Sequence, residues 1–255
     1  MDNAQQPSRS RPVNSVLEGS VSVVVPTYNE MENIPSLAHR LFGLGIPGIR
    51  IVIVDDSSPD GTAAMARELS GRYENRITVI QRESKQGLGT AYIAGFRRAL
   101  ELKADYIVQM DADLSHSPED IPDMLRHLEK SDVVIGSRYI EGGGVDVDWN
   151  FKRKFLSSFA NRMIRAITGL KAKDVTSGFK AYRASTIEKL DLDAFQCRGF
   201  GFQTEVAHAC QRRGFNIVEH PIIFSDRTEG SSKMSINIML EAIWRLSFLR
   251  IKRTQ

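Results

Sequence analysis

Residues 49–56 read Ile-Arg-Ile-Val-Ile-Val-Asp-Asp, and this stretch decides the fold. A run of β-branched residues that is apolar at nearly every position, not every second one, predicts a strand buried on both faces. Two acids at its end predict that the chain leaves the core there and meets solvent. The same shape recurs on either side. Val21-Ser22-Val23-Val24-Val25 precedes Pro26, which is expected to stop that strand. Ile77–Ile80 forms a third run, and Tyr106–Met110 a fourth that ends at Asp111. Helical patterns lie between them: about 30–42, from Asp60-Gly61-Thr62 onward with Asp60 or Thr62 as cap, and 87–102. Strand and helix alternating in this way imply an α/β fold, a Rossmann-like, mostly parallel sheet with helices on both faces. In such sheets ligands bind beyond the carboxyl ends of the strands. Tyr28 and Glu30, Asp55 and Asp56, and Asp111 and Asp113 all fall at those ends.

Downstream the pattern is less regular. It predicts a strand at 133–135, a flexible loop at Glu141-Gly142-Gly143-Gly144, a helix at 155–167 and a strand at 217–224. With 255 residues the chain has enough length for a full core. A net charge of +3 gives no reason to expect a nucleic-acid partner. Cys197 and Cys210 have no metal-site spacing and are expected to be small buried residues in a reducing compartment. Residues 1–19, rich in Gln, Ser, Arg, Pro and Asn, predict a disordered tail without a signal segment. No uncharged apolar run reaches the roughly 18–20 residues that span a bilayer, so the chain is not expected to cross one by itself.

Asp111 and Asp113, two apart where a buried strand ends, have the spacing to share one hard cation through oxygen ligands. Mg2+ or Mn2+ there would neutralise a diphosphate leaving group; a solvated acidic loop is the plainer alternative. Of Asp55 and Asp56, one is expected to hold a nucleotide and the other to serve the turn at Ser57-Ser58-Pro59-Asp60-Gly61. Lys85-Gln86-Gly87-Leu88-Gly89-Thr90 precedes a helix, where glycines would let backbone approach a phosphate and Lys85 would contact it. Arg138, Lys152, Arg153, Lys154, Arg227 and Lys233 are cations set in polar loops, suited to phosphate oxygens. Arg227 and Lys233 bracket a Gly/Ser segment able to close over a diphosphate.

Several motifs together resemble glycosyltransferase family 2. They are Pro26-Thr27-Tyr28-Asn29-Glu30, Val54 to Thr62, Asp111-Ala112-Asp113-Leu114-Ser115-His116 and Gly136-Ser137-Arg138-Tyr139, with the run from Arg153 to Asn161. Thr176-Ser177-Gly178-Phe179, Phe202-Gln203-Thr204-Glu205 and Arg227 to Lys233 narrow the likeness to members that transfer mannose to a dolichyl or polyprenyl monophosphate. The resemblance spans about residues 20–235. It implies a GT-A fold, GDP-mannose as donor, a divalent metal (Mg2+ or Mn2+), and a lipid phosphate as acceptor. By position, Pro26, Tyr28, Glu30 and Asp55 would contact the nucleotide, while Asp111 and Asp113 would organise metal and diphosphate. Arg138, Arg153, Ser157 and Asn161 would place the acceptor phosphate, and Arg227 and Lys233 would hold the donor phosphates. Asp113, Arg138 and Arg153 are thus the expected catalytic residues. Ser115 departs from the Gln common in the family at that place. Being shorter, it implies that water or phosphate completes the metal shell.

The division expected is a tail at 1–19, a catalytic domain at 20–235 and an amphipathic interface helix at 236–255. In the last, Ile236, Met239, Leu240, Ile243, Leu246 and Leu249 leave a wide apolar surface beside Trp244, Arg250, Lys252 and Arg253. A core helix and a docking site for small membrane subunits are the other readings of that segment. The expected location is peripheral, on the cytoplasmic side of a membrane, which is the endoplasmic reticulum in a eukaryote. A UDP-glucose-dependent transferase acting on the same lipid, and a non-catalytic nucleotide-sugar-binding subunit, are the competing functions.

Overall fold

The apolar runs become the centre of one sheet, covered on both faces. The structure, a computed structural model, describes residues 19–146, 151–197, 199 and 201–225, with backbone only at 151–153. The order along the chain is β1 (Val21–Thr27), α1 (Asn33–Gly43), β2 (Arg50–Asp55), α2 (Thr62–Arg72), β3 (Ile77–Gln81), α3 (Leu88–Glu101) and β4 (Tyr106–Gln109). Then follow α4 (Ile121–His127), β5 (Val133–Ser137), β6 (Gly144–Val145), α5 (Phe151–Thr168), β7 (Lys180–Arg183), α6 (Ala184–Glu188), α7 (Gly201–Arg212), β8 (Ile217–Pro221) and β9 (Ile223–Phe224). The seven-stranded sheet has the order β3-β2-β1-β4-β7-β5-β8, parallel except for β7, which is antiparallel to both of its neighbours.

Side-chain alternation explains why the strands are apolar throughout. Val21, Val23 and Val25 of β1, with Ile51 and Ile53 of β2, pack with Ile34, Leu37 and Leu41 of α1. Val24, Val52 and Val54 belong to the opposite core, with Tyr92 and Phe96 of α3 and Phe202 and Val206 of α7. Where α3 crosses β1 the approach is close: a Cβ at Gly95 would come within 2.2 Å of Val24 Cγ1.

Four expectations are corrected. Pro26 does not stop β1; it lies within the strand, opposite Val54. The β1–β4 register ends at Val24, so past that point a missing N–H costs no ladder bond on the β4 side. The expected single strand at 217–224 is two, because the ladder to β5 ends at Pro221 and β9 pairs instead with β6. That pairing also gives the glycine loop a strand of its own, so 141–144 is not wholly irregular. The helix expected from 155 begins at Phe151. Cys197 and Cys210 are buried and unbridged, as expected. Among the described residues no helix is long and apolar enough to cross a membrane.

Candidate active site

The carboxyl ends of β1, β2 and β4 and the start of β7 converge on one sheet edge. Because β7 is antiparallel, with Lys180 level with Gln109, its leading loop 176–179 lies beside the loop that follows β4. In the β4 loop Leu114 has φ 60°, a left-handed turn that folds the segment back. Ser115 then donates to Asp113 Oδ1 twice, from its backbone N–H (3.1 Å) and its hydroxyl (2.6 Å). Ser115 therefore braces an aspartate, which answers what stands in place of the longer Gln. Asp111 is half-buried, and its Oδ1 accepts from the Tyr92 hydroxyl at 3.1 Å. Its backbone N–H donates to His116 Nδ1 at 3.2 Å. Burial lowers the His116 pKa and favours the neutral ring, which stacks on Phe179, and because Nδ1 accepts from Asp111 the neutral ring's proton belongs on Nε2. That nitrogen pattern leaves Nδ1 no capacity to act as a base.

Gly178 forms the facing wall. A Cβ there would stand 3.3 Å from Asp111 Oδ2 and 3.3 Å from His116 Cε1, so a larger residue would crowd the carboxylate. The Gly178 carbonyl accepts from Gln109 Nε2 at 3.0 Å. Behind it lies a buried polar cluster. Gln109 Nε2 also donates to Gln203 Oε1 (2.5 Å), Tyr182 donates to Gln109 Oε1 (2.7 Å), and Lys180 Nζ donates to Gln203 Oε1 (2.8 Å) and to the Ser177 carbonyl. Complete burial lowers the Lys180 pKa to about 7.

Two carboxylates two residues apart, walled by a residue without a side chain, suit a hard divalent cation. Among the described residues no cluster of three or more His, Cys, Asp or Glu could hold a metal. Two protein carboxylates leave the remaining positions to phosphate oxygens and water, the usual arrangement for Mg2+ at a nucleotide.

At the ends of β1 and β2 the acid pair divides its work. Asp55, fully buried, accepts from Thr27 Oγ1 (3.0 Å), Ser58 N–H (3.0 Å) and Ser58 Oγ (2.5 Å), and so shapes the turn. Asp56 is ion-paired with Arg82. Arg82 also donates to Thr90 Oγ1 (2.6 Å) and the Gly87 carbonyl (3.1 Å). The 85–90 loop is thereby tied to the end of β3. Gly89 serves packing, since a Cβ there would sit 2.2 Å from the Cys197 carbonyl oxygen. Asp60, not Thr62, accepts from the first N–H of α2, at 3.0 Å. Lys85 Nζ lies 3.8 Å above the Tyr28 ring, and Glu30 Oε2 accepts from Asn33 (2.8 Å). Pro26 is half-buried beside them.

At the end of β5, Arg138 forms a forked pair with Asp174, through Nε (2.7 Å) and Nη2 (2.9 Å), and Nη2 reaches Thr176 Oγ1 (2.9 Å). Burial alone would lower the arginine pKa, but the Asp174 charge overrides it and raises it; Asp174 in turn is held below its usual value against the same burial. Ser157 of α5 shares a 2.8 Å hydrogen bond with the Tyr139 hydroxyl. The Asn161 amide is spent on the backbone of Lys173 and Val175, bracing the loop that carries Asp174.

The structure thus brings Tyr28, Glu30, Asp55, Lys85, Asp111, Asp113, Arg138 and Ser157 to one edge. The side chain of Arg153, together with Arg227, Lys233 and the 236–255 segment, lies outside the described residues. Sequence reasoning missed Tyr92, Gln109, Arg82 and Asp174, all buried or half-buried partners of the residues it named. For Arg82 a signal existed, because it directly follows a strand end.

A family model described as Glycosyl transferase family 2 matches residues 22–191. The polyprenol monophosphomannose synthase of Mycolicibacterium smegmatis is 40% identical over 244 residues, 95% of this chain and 89% of that protein. The undecaprenyl-phosphate mannosyltransferase of Micrococcus luteus is 43% identical over 223 residues, covering 88% and 90%. Among solved structures, a mannosyltransferase from Pyrobaculum calidifontis in complex with GDP-Man and Mn2+ superposes with a TM-score of 0.63 at 18% identity, over 98% of this chain and 69% of that one. Glucosyl-3-phosphoglycerate synthase from Mycobacterium tuberculosis, in complex with Mn2+, UDP and glucosyl-3-phosphoglycerate, gives 0.64 at 17%, over 98% and 85%. At those identities the likeness is one of fold, the GT-A type.

Proposed function

The chain belongs to glycosyltransferase family 2, and from that premise we propose that it transfers mannose from GDP-mannose to a dolichyl or polyprenyl phosphate with inversion. The observation that carries this reading is the braced Asp111/Asp113 pair just past the carboxyl end of β4, seen together with two relatives named for lipid-phosphate mannosyl transfer.

Asp111 and Asp113 would hold Mg2+ or Mn2+, which when bound neutralises charge on the departing diphosphate. Pro26, Tyr28, Glu30 and Lys85 line the nucleotide side. Asp55 acts there through the turn it shapes, and Lys85 is poised over the Tyr28 ring. Arg227 and Lys233 would close over the donor phosphates. Arg138, Arg153 and Ser157 place the acceptor, and Asn161 holds the loop whose Asp174 fixes Arg138. A phosphate monoester is largely dianionic at neutral pH, with a second pKa of about 6. Its oxygen attacks the sugar C1 as the C1–O bond to the diphosphate breaks, and the electron pair leaves on GDP. No general base is needed, in keeping with the engaged Nδ1 of His116.

Access to a lipid is supported by α5. Phe155 (64% exposed), Leu156, Phe159 (50%) and Met163 form an outward stripe, with Phe155 and Phe159 stacked 6.2 Å apart. Ser157 and Asn161 occupy the inward side of the same helix. Exposed aromatic and aliphatic residues beside basic ones fit a headgroup boundary. The enzyme would then sit peripherally on the cytoplasmic face, with 236–255 as a second contact or a site for small membrane subunits.

The test offers GDP-mannose and UDP-glucose side by side to the full chain with short polyprenyl phosphate. Lipid-extractable mannose is expected. Glucose transfer alone would support the competing transferase, and release of neither sugar would refute the enzyme reading.

A further inference from the structure

We propose that Tyr92, on α3 and remote in sequence from the acidic loop, is a positioning residue that fixes the Asp111 carboxylate for metal binding; this rests on the reading of Asp111 as a ligand. Tyr92 is fully buried, and its ring packs against Phe202 (5.9 Å, 5°) and Phe96 (6.0 Å, 30°), whose own rings meet at 6.4 Å. Its hydroxyl has little freedom, so the 3.1 Å bond to Asp111 Oδ1 dictates the carboxylate's orientation. Gly178 lies close to the same carboxylate, where a Cβ would come within 3.3 Å of Oδ2, the oxygen not bonded to Tyr92, and its carbonyl is anchored by Gln109. The backbone N–H of Asp111 is fixed to His116. A half-buried aspartate on a loop would otherwise sample several rotamers and lose that freedom on binding. Groups that orient a ligand from outside the metal shell are worth roughly 10–100-fold in affinity. The plainer reading is that Asp111 merely satisfies a buried phenol. The two differ in whether loss of the hydroxyl changes metal affinity or only stability.

Mn2+ binding to the full chain in the presence of GDP, read by the electron paramagnetic resonance signal of free Mn2+, separates them. Tyr92→Phe keeps the ring stack and is expected to weaken Mn2+ by about 10-fold, the lower end for such orienting groups. Ser131→Ala removes a buried hydroxyl far from the loop, bonded to the His127 carbonyl at 2.7 Å. It is expected to lower the melting temperature while leaving Mn2+ affinity unchanged. Gly178→Ala, which brings a Cβ within 3.3 Å of Asp111 Oδ2, is expected to weaken Mn2+ as well. If Tyr92→Phe does not fold, Gly178→Ala reads whether the orientation of Asp111 sets Mn2+ affinity, and unchanged affinity in it overturns the positioning role. Wild-type affinity in the folded variant, while Asp111→Ala and Asp113→Ala lose Mn2+, overturns the positioning role alone. Wild-type affinity in Asp111→Ala and Asp113→Ala overturns the metal reading on which it rests.

Discussion

Replacing Asp174 by Asn tests how the site holds a buried cation. Asp174 is inaccessible and the Arg138 side chain only 9% exposed. The carboxylate accepts from Arg138 N–H (3.1 Å), Nε (2.7 Å) and Nη2 (2.9 Å) and from Thr176 Oγ1 (3.2 Å). Two of these are charge-assisted side-chain bonds, each worth about 1.5–3 kcal/mol. Asn keeps the shape but supplies no counter-charge, leaving a guanidinium largely out of water. The expected loss is roughly 3–5 kcal/mol, or a fall in melting temperature on the order of 10 °C for a chain of this size. Urea unfolding at pH 7 measures it. Arg138→Met combined with Asp174→Leu removes both charges and is expected to cost less than either single change. Since the folded Asp174 pKa is depressed, the pair's contribution is complete above the ordinary carboxylate range and is lost as pH falls through the folded value. An Asp174→Asn protein within about 1 kcal/mol of the parent, at unchanged m-value, would refute the reasoning, since exposed ion pairs are worth no more than that.

Lys180 should make stability rise with pH. Its folded pKa is lowered to about 7 by burial, so between there and 10.5 the unfolded chain binds the extra proton. The gain, a few kcal/mol, should be absent in Lys180→Met, and a parent protein with no slope between pH 7.5 and 9.5 would contradict it. Gly95→Ala drives a Cβ into Val24 and should cost about 1–3 kcal/mol despite better helix propensity; a neutral or stabilising result in thermal melts would show that α3 can shift. Phe155→Ser with Phe159→Ser should reduce sedimentation with anionic liposomes by several-fold while transfer to a water-soluble short-chain acceptor is kept. Undiminished sedimentation would remove α5 from the membrane surface.

The strand runs were legible because a continuous Val/Ile stretch has few stable alternatives to burial on both faces, and their polar ends followed. Partnerships across long separations were not. Arg138 reads from sequence as a phosphate-binding cation, with no sign of Asp174, 36 residues away, which pairs with it. Strand β7 was invisible because it has four residues and opens with Lys180, a residue type that seldom enters a core. Helix α7 buries Gln203, Thr204 and Glu205, residue types that are mostly exposed. Gly89 read as a phosphate approach, yet its bareness serves the Cys197 carbonyl. The acid pair after β2 could not be apportioned from sequence, because only the fold shows Thr27 beside Asp55 and Arg82 beside Asp56.

The central claim is metal-dependent transfer of mannose to a lipid phosphate at Asp111 and Asp113. Its most direct test follows label from GDP-mannose into polyprenyl phosphate in liposomes, after chelation and again after Mn2+ is restored. Label in the lipid phase should vanish with chelator, return with Mn2+, and be absent from Asp113→Ala under both conditions. Transfer that persists in chelator, or at the parent rate in Asp113→Ala, would contradict the account.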